Sequence, residues 1–317
     1  MNKLASWMLS IALSLCTQQA LAEGPSPNAP SANPAAEAAR ADIKQTFGFV
    51  PGFLNAVPSV ALPGAWEEMK SLQMNPSTAL PGKVKELIGL AVAAQVPCKY
   101  CTYAHSEFAK LGGASETEIG EAVTMAALTR HWSTVLQGLQ TDLSKFKAEI
   151  AALITRMKSA PKPAGAAAPS APVTDAQSAL AEIQQMFGSV PDFLRRFPSE
   201  ALAGAWKEMR DVEMSPKTAL SPKHKSLIGL AVASQVPCAY CLAADAEFAK
   251  LAGASEREIN EAIGMAALTR HWSTVLNGLQ TDEVTFKRDV DRIIKGAKKS
   301  MAQKREPAER RMASSIP

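Results

Sequence analysis

Two ten-residue stretches, VPCKYCTYAH (96–105) and VPCAYCLAAD (236–245), each contain two cysteines separated by two residues. Such a Cys-x-x-Cys pair can close a disulfide, and its thiols can exchange electrons with other thiols or react with oxidants. The first stretch ends in His105, whereas the second ends in Asp245. Two copies that keep their cysteines therefore differ in the residue that would most affect those cysteines.

The residues around the first pair could activate a thiol. Cys98, Cys101 and His105 have the spacings of three and four that place side chains on one face of a helix. Near a helix N-terminus, exposed amides and the helix dipole favour a thiolate. Because an unperturbed thiol is mostly protonated at neutral pH, His105 can act as a base for Cys101. Glu86, on the preceding helix, is expected to orient the imidazole directly or through water.

The same residues allow other interpretations. The pair could be a buried structural disulfide, with His105 satisfying only a local hydrogen bond. Cys98, Cys101, His105 and Glu86 could also form a tetrahedral zinc set, although the second copy replaces both non-cysteine members. Covalent c-type haem is excluded because Thr102, not histidine, follows Cys101.

The chain contains one unit twice. LIGLAVAAQVPC (87–98) matches LIGLAVASQVPC (227–238), and MAALTRHWSTVLQGLQTD (125–142) matches MAALTRHWSTVLNGLQTD (265–282), with one difference in each pair. This identity predicts nearly identical packing in the two units. Each unit is long enough to form its own core.

Helical signals run through both units. Apolar residues recur at helical spacing over 83–95, and Pro97 suits the first turn of the next helix. Ser115 followed by Glu118 is a capping-box pattern that opens another helix, and the second unit repeats it. No alternating β pattern stands out, so the sequence predicts an all-α fold.

The two ends and a central segment differ in composition from the repeated units. A lysine, a short apolar run and a small-residue site are typical of a secretory signal peptide cleaved near Ala22, which would remove Cys16 and make the mature protein periplasmic or secreted. The formal net charge of +4 comes largely from a basic C-terminal tail. No basic patch with interleaved aromatics occurs elsewhere, so neither nucleic acid nor a membrane is an expected partner.

The expected organisation follows from these compositions. The segments are a signal peptide (1–22), a flexible linker (23–40), a first domain (41–156), an Ala/Pro-rich linker (157–176), a second domain (177–296) and a basic, solvated tail (297–317).

The order Glu86, Cys98, Cys101, His105 resembles the signature of the AhpD-like alkylhydroperoxidases within the carboxymuconolactone decarboxylase superfamily. The upstream stretch FGFVPGFLNAVPSVALPGAWEEM (47–69) resembles the peroxidase-related branch. Decarboxylase members lack the cysteine pair, so the pair favours the peroxidase side.

The resemblance covers 43–150 and again 183–290. It implies an all-α fold of two tandem AhpD-like helical domains that assemble as a homo-oligomer. It also implies thiol peroxidase activity that needs neither an organic cofactor nor a metal.

Carried onto this chain, the resemblance implies that Glu86 and His105 relay a proton from Cys101, whose thiolate attacks the O–O bond of a hydroperoxide. Cys98 then resolves the sulfenic acid as a disulfide, which an unidentified external dithiol must reduce. Cys98 is the alternative attacking residue. Two other functions stay open: a dithiol–disulfide oxidoreductase, and a non-catalytic binding or scaffold protein stapled by disulfides.

The second copy departs from this pattern. Ser226 and Asp245 stand where the first copy has its relay residues. A carboxylate beside a thiol opposes thiolate formation, and His224 is expected on a different helix face. Cys238 and Cys241 are therefore expected to form a structural or vestigial disulfide.

Overall fold

In the computed structural model the described residues are 33–159 and 172–313, with side chains described through 303. They form α-helices with no strand among them, which confirms the all-α prediction. Two short π-helical segments, Met69–Gln73 and Met209–Met214, continue the third and tenth helices. In chain order the helices are α1 (Pro34–Phe47), α2 (Gly52–Asn55), α3 (Leu62–Glu68), α4 (Gly82–Gln95), α5 (Lys99–Leu111), α6 (Glu116–Gly138), α7 (Leu143–Ser159), α8 (Ala176–Phe187), α9 (Asp192–Arg196), α10 (Ser199–Glu208), α11 (Pro222–Gln235), α12 (Ala239–Leu251), α13 (Glu256–Gly278) and α14 (Glu283–Ala313).

The two halves, α1–α7 and α8–α14, share one hydrophobic core. Helices α4 and α11 pack against each other, and each also packs against both α6 and α13. A single continuous cluster of buried apolar residues contains members from both halves. The expectation of a separate core in each unit is therefore wrong. Helical periodicity shows which side of α4 is buried, but it does not show which helix covers that side.

Contacts between the halves are reciprocal. The Glu261 carboxylate accepts a hydrogen bond from the backbone N–H of Leu80 at 2.8 Å, and Glu121 accepts one from Leu220 at 2.7 Å. Each of these residues has its counterpart 140 positions away. This pattern is that of a two-fold homodimer interface, in which one surface patch pairs with its own copy. Here one chain supplies both copies.

The last helix of each half crosses to the other half. Helix α14 packs against α5, and α7 packs against α12. The Tyr100 hydroxyl donates to the carbonyl of Thr281 at 2.6 Å, and Tyr240 does the same to Thr141 at 2.6 Å. Each helix that carries a Cys-x-x-Cys pair is thus covered by the other half.

Local signals position the cysteine helix. Helix α4 ends at Gln95, and Cys98 is the N-cap of α5, with its Sγ accepting from the backbone N–H of Cys101 at 3.2 Å. The sequence predicts Pro97 in the first turn of this helix. In the structure Pro97 instead precedes the N-cap residue. The capping box of Ser115 with Glu118 is present, and so is its counterpart in the second half.

Helical structure extends beyond the expected domain boundaries. Helix α1 begins at Pro34, inside the segment expected to be a linker, because the Asn33 side chain caps it by accepting two backbone N–H groups. Helix α7 continues to Ser159. The expected tail is helical to Ala313, and Met301 lines a cavity described below.

The predicted signal peptide, residues 1–22 with Cys16, lies outside the described residues. Among the helices that the structure does describe, none is both long and apolar enough to cross a membrane.

Candidate active site

The first cysteine pair borders a cavity of about 920 Å³ that both halves build. Glu86, Cys101 and His105 line it from the first half, and Thr269 and Trp272 line it from α13 of the second half. Most of the remaining wall is apolar and includes Phe47, Phe53, Met69, Phe108, Phe286 and Val290. A cavity of this kind suits an organic molecule held by apolar contact and oriented by a few polar groups.

Cys98 and Cys101 form a disulfide, with their Cα atoms 5.3 Å apart. Cys98 is fully buried, whereas Cys101 keeps 4% of its surface exposed and lines the cavity. The sulfur that a molecule in the cavity can reach is therefore that of Cys101.

His105 lies in a chain of polar contacts beside Cys101. Its Nδ1 is 2.7 Å from Oε2 of Glu86, whose Oε1 accepts from Nε2 of Gln73 at 3.0 Å. On the other side of the ring, Nε2 is 3.4 Å from the hydroxyl of Thr269. Because a carboxylate oxygen accepts, Nδ1 is assigned the proton, which leaves Nε2 of the neutral ring as an acceptor to which the Thr269 hydroxyl can donate. The ring is thus arranged to accept a proton at Nε2.

Close approach of α4 and α5 depends on Gly89. A Cβ built at this position would overlap the ring of His105. Gly229 has the same relation to the shorter Asp245, whose carboxylate oxygens would lie 2.9 Å from such a Cβ. The glycine therefore provides the space for the side chain that faces each cavity.

The structure brings together all four residues that the sequence singled out in the first copy: Glu86, Cys98, Cys101 and His105. Sequence reasoning missed Gln73 and Thr269. The available signal for Thr269 is the repeated TRHWSTVL stretch, whose identity in the two copies predicts similar packing but does not show that its threonine reaches the site of the other copy. Gln73 lies at the end of a π-helical segment, and no local pattern marks it.

The second cysteine pair borders an equivalent but smaller cavity of about 370 Å³. Cys238 and Cys241 are disulfide-bonded, and Cys241 lines this cavity while Cys238 is fully buried. Thr129 contributes from α6 of the first half. The arrangement of the first site is thus reproduced with the halves exchanged.

The ionisable groups of the second cavity differ from those of the first. Asp245 takes the place of His105, and Glu213 takes the place of Gln73. Burial, followed by the negative charge of Glu213, raises the pKa of Asp245 well above its usual value. Burial also raises the pKa of Glu213 to about 7, although the positive charge of Lys225 opposes the change. Both groups therefore bind protons more tightly than exposed carboxylates do.

His224 does not line the second cavity, and Ser226 does. Among the described residues, no three His, Cys, Asp or Glu side chains are placed to hold one metal ion. The two thiolates that a zinc set would need are joined as the Cys98–Cys101 disulfide.

Comparison with known families identifies one family. The profile described as the carboxymuconolactone decarboxylase family matches the chain twice, at residues 61–141 and 200–281. Together the two segments cover just over half of the chain, and each contains one Cys-x-x-Cys pair. No curated protein and no solved structure gives a significant match.

Proposed function

The chain belongs to the carboxymuconolactone decarboxylase family, and from this membership we propose that it is an exported, thiol-dependent peroxidase. It reduces hydroperoxides at Cys101 without an organic cofactor. The observation that carries the proposal is the 2.7 Å contact between His105 and Glu86 in the cavity that Cys101 lines. The cysteine pair favours the peroxidase members of the family over the decarboxylases.

The first step is the attack of Cys101 on the peroxide. Nε2 of His105 takes the proton from the thiol, and Glu86 stabilises the imidazolium through Nδ1. The thiolate attacks the terminal oxygen of R–O–O–H and breaks the O–O bond. The products are a sulfenic acid on Cys101 and an alkoxide, which receives the proton from His105 and leaves as the alcohol.

The second step regenerates the disulfide seen in the structure. The Cys98 thiol attacks the sulfenic sulfur, and a disulfide and one water molecule form. The backbone N–H of Cys101 lies 3.2 Å from Sγ of Cys98 and supports the developing thiolate. An external dithiol then reduces the disulfide and is itself oxidised.

The cavity supports an organic hydroperoxide as the substrate. Its wall is largely apolar, and Lys83 near the relay is paired with Glu118 at 2.7 Å. Apolar surface contributes nothing to holding hydrogen peroxide, but it would bind an alkyl or aryl group. We therefore expect kcat/KM for cumene hydroperoxide to exceed that for hydrogen peroxide.

Export is supported by the composition of the first residues and by the two disulfides. Disulfides persist in oxidising compartments and are rare in the cytosol. Purification of the mature chain from a periplasmic extract, followed by N-terminal sequencing, would test cleavage near Ala22.

The experiment for the activity is peroxide consumption with dithiothreitol as the reductant. Cys101→Ser should abolish turnover, and His105→Ala and Glu86→Ala should each lower kcat by about 10²–10⁴-fold, the usual weight of a positioned acid–base group. His131→Ala is the matched control, because this exposed histidine lies outside both cavities. Full activity of His105→Ala from pH 6 to 8 would contradict the relay, and turnover by Cys101→Ser would contradict the attacking residue.

A further inference from the structure

We propose that the second cavity is a second thiol–disulfide exchange site, in which an external dithiol reduces the Cys238–Cys241 disulfide and Asp245 supplies the proton. This proposal goes beyond the peroxidase activity and does not depend on it. It also departs from the expectation that this pair is only structural or vestigial. Three features of the second half support it.

The first feature is access to sulfur. Cys241 lines the second cavity and keeps 7% of its surface exposed, while Cys238 is fully buried. Sγ of Cys238 accepts from the backbone N–H of Cys241 at 3.2 Å. A nucleophile in the cavity therefore meets Cys241, and the leaving sulfur is the one that a helix N-terminus stabilises as a thiolate.

The second feature is an unpaired buried acid. Asp245 is 7% exposed and lines the cavity, and it makes no hydrogen bond or ion pair with the part of the chain that the structure describes. Its carboxylate oxygens are not sealed inside the protein, because they are not among the fully buried polar atoms that lack a partner. Asp245 and Cys241 line the same cavity, so a molecule that enters it can meet the acid and the sulfur together.

The third feature is the set of charges around Asp245. The π-helical segment supplies Glu213 and α7 supplies Glu149, whereas α6 supplies the neutral Thr129. Lys225 of α11 acts on Glu213, and its ammonium group donates to two carbonyls and a hydroxyl in and just after the π-helical segment. On α12 itself, Glu247 and Lys250 pair with each other at the surface.

Among the described residues that line this cavity there is no Lys, Arg or His, so none of these side chains favours the charged form of Asp245. Burial and Glu213 raise the pKa of Asp245, so that this side chain still carries a proton where an exposed aspartate has lost it. The group is therefore a proton donor beside Cys241. It is not a base that could activate a thiol for peroxide attack.

The exchange has two steps. One thiolate of the dithiol attacks Sγ of Cys241, and the disulfide breaks to give a mixed disulfide and the Cys238 thiolate, which the backbone N–H of Cys241 stabilises. The second thiolate of the dithiol then attacks the sulfur of its own first thiol in the mixed disulfide. The Cys241 sulfur is released as a thiolate and takes a proton from the carboxylic acid of Asp245. The dithiol departs as a cyclic disulfide.

The test uses the full chain with Cys16→Ser, Cys98→Ser and Cys101→Ser, so that only the second pair can react. The oxidised protein is mixed with dithiothreitol between pH 5.5 and 9, and free thiols are counted by alkylation and mass spectrometry. Rates are divided by the concentration of dithiothreitol thiolate. With Asp245 intact, the normalised rate should fall as pH rises and Asp245 loses its proton. Asp245→Asn should be about 10²-fold slower at the low end and nearly independent of pH.

Two variants complete the design. Asp245→Glu keeps an acid and should retain the pH dependence, whereas Glu247→Gln, at the surface of the same helix, should match the parent. Circular dichroism confirms that each variant is folded. The proposal is overturned if the pair is reduced only under conditions that unfold the protein. It is equally overturned if Asp245→Asn is reduced at the parental rate at every pH.

Discussion

His105 and Asp245 occupy equivalent positions on equivalent helices, and their surroundings differ in charge. His105 has an acceptor at Nδ1, namely Glu86 at 2.7 Å, and a hydroxyl near Nε2. Asp245 faces another acid, Glu213, and has no acceptor or donor among the described groups. The first arrangement holds a base ready to accept a proton, and the second holds an acid ready to donate one.

The acid pair gives the protein a stability that depends on pH. Because the pKa of Glu213 is about 7 in the folded protein and about 4.3 in an unfolded chain, the folded state binds more protons between these values. The contribution is therefore most favourable below about pH 4 and is lost as pH rises towards 7.

We predict that Glu213→Gln, which restores the residue type of Gln73, stabilises the protein at pH 8 by about 1–2 kcal/mol and changes little at pH 4. Urea unfolding at the two pH values measures the difference. Glu208→Gln, an exposed acid on the preceding helix, is the control and should have no such pH dependence. An equal effect of Glu213→Gln at both pH values would contradict the prediction.

At the scale of the elements, a buried lysine holds each π-helical segment in place through hydrogen bonds. The Lys85 ammonium group donates to the carbonyls of Leu72 and Asn75 at 2.7 Å each and to the hydroxyl of Thr78 at 2.9 Å. Lys225 makes the same three contacts in the second half. These bonds fix the end of the segment that carries Gln73 or Glu213, and thereby one polar wall of each cavity.

We predict that Lys85→Met lowers the free energy of unfolding by about 2–4 kcal/mol, because two carbonyls lose their donor. It should also lower peroxide turnover, since Gln73 is no longer held against Glu86. Lys225→Met should destabilise the protein by a similar amount and leave turnover close to the parental value. Equal loss of turnover in both variants would show that the effect is global instability.

The elements also show what the sequence can and cannot predict. The capping box at Ser115 and the contact of His105 with Glu86 were predictable, because helical periodicity and capping act over a few residues or between consecutive helices. Thr269 was not predictable, because it reaches the first site from the other half of the chain. The continuation of α14 across residue 297 was not predictable either, since the composition of this segment shows its charge but not the cavity that its apolar side lines.

At the scale of the whole molecule, each site depends on the half that does not carry its cysteines. Thr269 and Trp272 line the first cavity, while Thr129 and Trp132 line the second. This exchange explains why both copies keep MAALTRHWSTVL unchanged although their ionisable residues differ. Each copy supplies a wall for the other site.

We predict that Thr269→Val lowers kcat for peroxide by about 10-fold, because Nε2 of His105 loses its only nearby hydroxyl among the described groups, which is about 1.4 kcal/mol of transition-state free energy. Thr129→Val, the equivalent change in the first half, should leave peroxide turnover unchanged. Steady-state kinetics with cumene hydroperoxide distinguishes the two. If Thr129→Val were the more harmful variant, the assignment of halves to sites would be wrong.

We also predict a homo-oligomer in solution, with three chains taking the place of six single units. Assembly is an expectation from the family resemblance of the sequence, and each chain already contains one reciprocal pair of units. Light scattering at micromolar concentration measures the mass. A strict monomer would contradict this prediction.

The reciprocal pairing of two halves in one chain has a consequence for how the sites can change. In a dimer of identical single units, one codon specifies the same position in both sites, so every substitution appears twice. Here position 105 and position 245 are encoded separately, although the two cavities share one core. A substitution can therefore alter one cavity and spare the other. In a complete mutational scan scored by peroxide resistance, the sensitive positions should be those that line a cavity. They should therefore occur in both halves of the gene.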